Sequence, residues 1–171
     1  MTDALDAAAM IRRNADRLLQ TIEDMPGPQW LYRPAPTAWS VSQVVEHVAI
    51  ANAGIAARVN GGLTTPLGGP CGVDDDEIPY LFYLGDEPPN VSKPTGDWTD
   101  IADATQQFAS NADVLVDFAR GTELDLRQYG AAHPIFGLFD GVQWLLFSGA
   151  HIERHRRQLI GYGLRPDFPA R

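Results

Sequence analysis

Four stretches of this chain repeat apolar side chains at the spacing of an α-helix, and the residues that break helices are gathered between them. Residues 3–25 place Leu5, Ala9, Ile11, Ala15, Leu18, Leu19 and Ile22 on one face with charges opposite, and Pro26-Gly27-Pro28 ends the run. A connection at 26–39 carries Trp30 and Trp39. Ser40 then opens a second helix, where Gln43 makes a capping box: each side chain satisfies the other's free backbone N–H. Val41, Val44, Val45, Val48, Ala51, Ile55 and Val59 form its stripe, and Gly61-Gly62 stops it. A third helix starts near Thr99-Asp100 and continues to Arg120 through Ile101, Ala104, Phe108, Ala112, Leu115 and Val116. Asp140 with Gln143 caps a fourth, which reaches Tyr162 before Gly163 and Pro166 close it. No stretch carries a convincing strand period, so the pattern predicts an all-α, four-helix bundle.

Length and charge narrow the classes. The 171 residues predict one domain, 1–171. Thirteen Lys and Arg against 22 Asp and Glu give a net charge of −9, with no basic stripe for nucleic acid or an anionic membrane. No run approaches the roughly 18 apolar residues of a membrane span. The start, MTDALDAAAMIRRN, lacks the apolar core of a secretory signal, so a cytoplasmic location is expected. Cys71 is the single cysteine, which forbids an internal disulfide and reads as an incidental loop thiol.

Residues 61–97 hold seven glycines and six prolines. A segment this long without a period is usually functional or a crossover, and a short helical turn is expected near Ile78–Leu84. Its acidic run Asp74–Glu77 reads as solvated. A second connection, 121–139, contains His133-Pro134; His133 is expected to make a structural hydrogen bond, with a substrate contact as the alternative.

The chemistry concentrates in three of the four histidines. His151 and His155 sit at i and i+4 on the fourth helix, where Cβ atoms lie about 5–6 Å apart. That lets both imidazoles reach one ion at about 2.0–2.1 Å if the ion is zinc. They lie beside Trp144, Phe147, Leu159 and Tyr162, away from a polar face of Gln143, Glu153, Arg154 and Arg157. His47 flanks the apolar stripe of the second helix. It stands seven residues inside that helix's start, and His155 stands seven inside the fourth helix's end. These depths, roughly 10 Å each, coincide if the two helices are antiparallel. A 61–97 crossover achieves this by making the second and third helices parallel. The motif is not H-E-x-x-H, because Ile152 follows His151, and no E-x-x-H pair exists for a di-iron site. Glu46 points about 100° away from His47 and reads as a solvated charge rather than a ligand.

Two segments resemble a known family. W-S-V-S-Q-V-V-E-H-V-A at 39–49 is similar to the second-helix motif of the DinB-like (DinB/YfiT) superfamily. H-P-I-F-G-L-F-D-G-V-Q-W-L-L-F-S-G-A-H-I-E-R-H-R-R-Q-L at 133–159 is similar to its last-helix motif. The resemblance implies a bundle of up-down-down-up topology with a long crossover between the second and third helices. It implies a divalent metal ion (nickel, zinc, iron or manganese) held by His47, His151 and His155. It also allows a homodimer. The Gly/Pro-rich 61–97 segment departs from the family pattern and leaves the substrate pocket open.

Three neutral imidazoles leave the ion's charge uncompensated, which makes it a strong Lewis acid for a bound water or thiol. The resemblance implies thiol S-transfer from low-molecular-weight thiols or hydrolysis, so the expected function is a metal-dependent thiol S-transferase or hydrolase acting on a small molecule, with such a thiol as the candidate cosubstrate. The alternative is a non-catalytic metal-binding or stress-response bundle. Tyr162, Glu46 and His133 are candidates for a general acid or base, with none assigned.

Overall fold

The computed structural model describes residues 3–69, 71–83 and 92–170. In chain order the elements are α1 (Ala4–Ile22), α2 (Gly27–Trp30), α3 (Val41–Val59), β1 (Thr65–Pro66), a 3₁₀ helix (Ile78–Tyr83), α4 (Ile101–Gly121), β2 (Tyr129–His133), β3 (Gly137–Asp140) and α5 (Gly141–Gly163).

The four long helices begin where the sequence offers an acceptor. Asp3 takes the N–H of Asp6 at 2.8 Å, and Asp100 takes that of Asp103 at 2.9 Å. Ser40 with Gln43 and Asp140 with Gln143 form complete capping boxes. Each cap is worth about 1 kcal/mol, because it satisfies an N–H that the helix itself cannot. α1 packs against α4 and α5, and α3 packs against the same two helices. Ile11, Leu18, Val44, Val48, Phe108, Leu115, Leu145 and Ile152 are all fully buried between them.

α3 and α5 run antiparallel. Along them, Arg58 stacks over Trp144 at 4.7 Å, Asn52 accepts from Ser148 at 2.9 Å, and His47 meets His151 at 3.1 Å. Beyond the start of α3, the Trp39 carbonyl accepts from Tyr162 at 3.2 Å. α1 approaches α5 closely at Gly149, where a Cβ would stand 3.0 Å from Met10 Cγ. Asn14 uses this proximity to donate to the Gly149 carbonyl at 2.9 Å.

The structure corrects the strand-free expectation. β1, β2 and β3 form a small antiparallel sheet in that order, with Ala131 opposite Phe139 and Ala132 opposite Leu138. The runs YGAAH and GLFD are too short, and the first too rich in small residues, for alternation to stand out in sequence. The hairpin turn closes on Gly137, whose φ of +85° falls in the left-handed region that glycine enters freely. The sheet is tied to the helices by Trp144 Nε1, which donates to the Ala131 carbonyl at 3.2 Å, and by Arg58, which donates to the Ala132 carbonyl at 2.9 Å.

Other expectations change in detail. α1 ends at Ile22, before the proline-rich break, and the connection after it contains the extra turn α2. The helical turn expected near 78–84 is the 3₁₀ helix at Ile78–Tyr83, with Leu84 outside the described residues. Gln143, read as part of a polar face, is buried; its Nε2 donates to the Val73 carbonyl at 2.6 Å. Asp75 is not solvated either, since Arg127 bridges it and Asp140 at 2.7 Å each. No helix among the described residues is long and apolar enough to cross a membrane.

Candidate metal centre

The capping box at Ser40 sets the start of α3, and so places His47 two turns in. The box at Asp140 sets α5, which carries His151 and His155 one turn apart on its inner face. The antiparallel pairing brings the three rings together. Nε2 of His151 lies 3.1 Å from Nε2 of His47 and 3.0 Å from Nε2 of His155. Ring centroids are 4.5–5.0 Å apart. All three residues are buried, with 6–9% of their surface still exposed. Among the described residues no carboxylate or thiol joins it.

The outer ring nitrogens decide the protonation. His47 Nδ1 faces the Ser92 carbonyl at 2.7 Å, an acceptor only, so Nδ1 carries the proton and Nε2 is a bare lone pair. His155 Nδ1 faces Gln158 Oε1 at 2.7 Å. The orientation of that amide follows from its other end. Gln158 Nε2 donates to the Tyr162 hydroxyl at 2.9 Å, and that hydroxyl donates to the Trp39 carbonyl. His155 Nε2 is therefore also bare.

Two lone pairs thus point at His151 Nε2, which brings at most one proton. Adding protons is disfavoured. Burial lowers all three pKa values: His47 below its ordinary value, His155 to about 3 and His151 well below 6.5. Repulsion between the rings and from Arg154 adds to this. Donor atoms 3.0–3.1 Å apart are within reach of one shared ion at about 2.0–2.1 Å from each. A divalent cation suits three converging imidazole nitrogens between which at most one proton is shared, so the donor set fits one.

The walls are aromatic. The Trp39 ring lies 4.6 Å from His47, and Phe147 stacks on His151 at 6.0 Å. Trp39 is half-buried, whereas Trp144 is in the core.

The three candidate acid–base groups are otherwise engaged. Tyr162 holds Gln158, and burial pushes its hydroxyl pKa up. His133 Nδ1 accepts from the backbone N–H of Ile135 at 3.2 Å and of Phe136 at 3.3 Å, the structural hydrogen bonding expected of it. Glu46 is a correction: it is fully buried, not solvated. Its carboxylate accepts from Thr95 N at 2.7 Å, Thr95 Oγ1 at 2.5 Å and Gly96 N at 2.9 Å. Those donors lie some 50 residues away, so helical periodicity could not reveal them. Glu153 stays on the outer face with Arg156 and Arg157, whose hydrogen bonds hold its carboxyl at about 2. Burial and the nearby Asp140 push the Cys71 thiol up, which leaves it a poor nucleophile.

Sequence reasoning missed Ser92 and Gln158. Gln158 had a signal, standing three residues after His155 on the same helical face. Ser92 had none, because it contributes only a backbone carbonyl.

The model of the DinB superfamily matches residues 10–159 of this chain, a span that contains all three clustered histidines. Among curated proteins, none matches.

Proposed function

Because the chain belongs to the DinB superfamily, we propose that it is a metal-dependent enzyme in which His47, His151 and His155 hold one divalent ion. The observation that carries this reading is the pair of bare Nε2 atoms aimed at a third imidazole nitrogen within 3.1 Å. Bound there, the ion would act as a Lewis acid that lowers the pKa of a coordinated water or thiol. The chain's own residues orient the rings: Ser92 fixes the His47 tautomer and Gln158 that of His155. Trp39 and Phe147 restrict water around the donors, which strengthens electrostatic interactions inside.

The reaction class is thiol S-transfer or hydrolysis on a small molecule. A low-molecular-weight thiol is the cosubstrate for transfer, since Cys71 is the sole thiol of the chain and is kept protonated. Nickel, zinc, iron and manganese all suit three imidazoles, and the donor set does not single one out. A single bundle domain in up-down-down-up order belongs to the same reading; the antiparallel α3 and α5 support it. So does a homodimer, on the family resemblance alone.

The test has two parts. Elemental analysis after dialysis is expected to find about one divalent ion per chain. The loaded protein is then screened against electrophiles with several cellular thiols, and against hydrolysable esters and amides. Loss of all metal on dialysis overturns the reading. Firm occupancy without any turnover replaces it by non-catalytic metal binding.

A further inference from the structure

We infer that Glu46 is a positioning residue for the neighbouring His47, acting through the segment Ser92–Gly96. The two residues are adjacent on α3 and point about 100° apart around the helix. Both grip the same piece of chain. His47 Nδ1 donates to the Ser92 carbonyl at 2.7 Å. Three residues later, Thr95 offers its N–H and hydroxyl, and Gly96 its N–H, to the Glu46 carboxylate.

Glu46 is 0% exposed, and among the described residues no Lys or Arg forms an ion pair with it. Buried carboxyl oxygens need hydrogen-bond donors, and here three come from this one segment. That demand selects a single backbone shape. Gly96 adopts φ +87°, in the left-handed region, while its N–H meets Oε2. Its Cα faces the Gln43 amide so closely that a Cβ would stand 3.1 Å from Nε2. Thr95 Oγ1 also accepts from Asp97 N at 3.1 Å, which stiffens the turn. Pro94 is buried between the two grips. With 95 and 96 locked, the Ser92 carbonyl is held where it keeps the proton on His47 Nδ1 and leaves Nε2 bare for the cluster.

The consequence for metal affinity rests on the metal-site reading above; the consequence for the His47 tautomer does not. The experiment therefore reads both. Glu46→Gln replaces one acceptor oxygen with a donor facing donors. Thr95→Val removes the hydroxyl, and Thr95→Ser restores it. Cobalt(II) affinity is measured on the full chain by chelator competition, and the His47 tautomer by ¹⁵N shifts of the metal-free protein. Expected are a 10–100-fold loss of cobalt affinity in Glu46→Gln, a smaller loss in Thr95→Val and recovery in Thr95→Ser. The wild-type ring should be protonated at Nδ1, and mixed in Glu46→Gln.

Asn14→Ala, which removes a buried hydrogen bond between α1 and α5 rather than one to Ser92–Gly96, is the control for general destabilisation and should leave both readouts unchanged. Wild-type affinity and an unchanged His47 tautomer in both Glu46→Gln and Thr95→Val overturn the inference. If Glu46→Gln does not fold, the Thr95 pair decides alone. If the wild type binds no cobalt, the metal reading fails and the tautomer still judges the clamp.

Discussion

Two turns into α3, His47 gives its Nδ1–H to a carbonyl; at the tip of the β2–β3 hairpin, His133 receives two N–H groups on the same atom. Both rings lie among aromatics. His133 packs against Phe136, Phe139, Trp144 and Phe147 at 4.7–5.5 Å, and His47 against Trp39 at 4.6 Å. Burial lowers both pKa values. The difference is the tautomer that the surroundings impose. Backbone donors hold His133 with Nδ1 unprotonated and its lone pair taken up inside the turn. Backbone and amide acceptors hold His47 and His155 with Nε2 bare and aimed at a common point. A histidine's role is thus decided by what its outer nitrogen meets, more than by its aromatic setting or its burial.

The strongest attack on this contrast removes one ring from each place. His151→Ala should reduce bound metal after dialysis from about one per chain to near zero, with helical circular dichroism retained. His133→Ala should leave metal content unchanged. Equal metal loss in both variants would erase the distinction between the two regions.

A second pair compares stability with affinity. Trp144 is 3% exposed, packs on Phe139 and Phe147, and donates to the sheet. Trp144→Ala should lower unfolding free energy by roughly 3–5 kcal/mol, as for large aromatic truncations in cores. Denaturant titration checks this, and a loss below about 1 kcal/mol would contradict its core placement. Gln158→Ala should do the reverse. Little stability is lost, but His155 loses its acceptor, and metal affinity should fall about 10–100-fold. Chelator competition reads that change; wild-type affinity would mean that the amide orients nothing.

The parts of this architecture that sequence exposed are those with local causes. A capping box spans four residues and a helical stripe repeats every turn, so Ser40–Gln43, Asp140–Gln143 and the i, i+4 histidines were legible. The matched depths of His47 and His155 were legible too, because helix rise converts residue counts into distance. What stayed hidden depends on distant partners. Glu46 looked solvated because its donors at Thr95 and Gly96 sit in an aperiodic segment. Asp75 looked solvated for the same reason, with Arg127 as its partner. The sheet was missed because β1 has two residues and β2 centres on Gly130-Ala131-Ala132, where no side chain is large enough to mark a face.

Acid provides the finest test of the two regions. His133 has a pKa of about 4, lowered first by burial and then by the Arg58 charge, against 6.5 when unfolded. Between these values the unfolded chain binds the extra proton and the folded chain does not, so stability rises with pH across that window. The contribution of the neutral ring is therefore complete above about 6.5 and is lost as pH falls through about 4. Because the ring is only half-buried, solvent screening reduces the effect to on the order of 1 kcal/mol. His133→Phe keeps the aromatic packing and removes the titration. Urea midpoints of metal-free protein between pH 7 and pH 4 should fall less steeply in His133→Phe than in wild type. The three clustered histidines are present in both proteins, and His133 is only the smallest of the charges that lower the His151 pKa, so their share of the slope is nearly the same in each. Parallel slopes would show that His133 is already solvated in the folded protein, and that the hairpin tip does not hold its ring neutral.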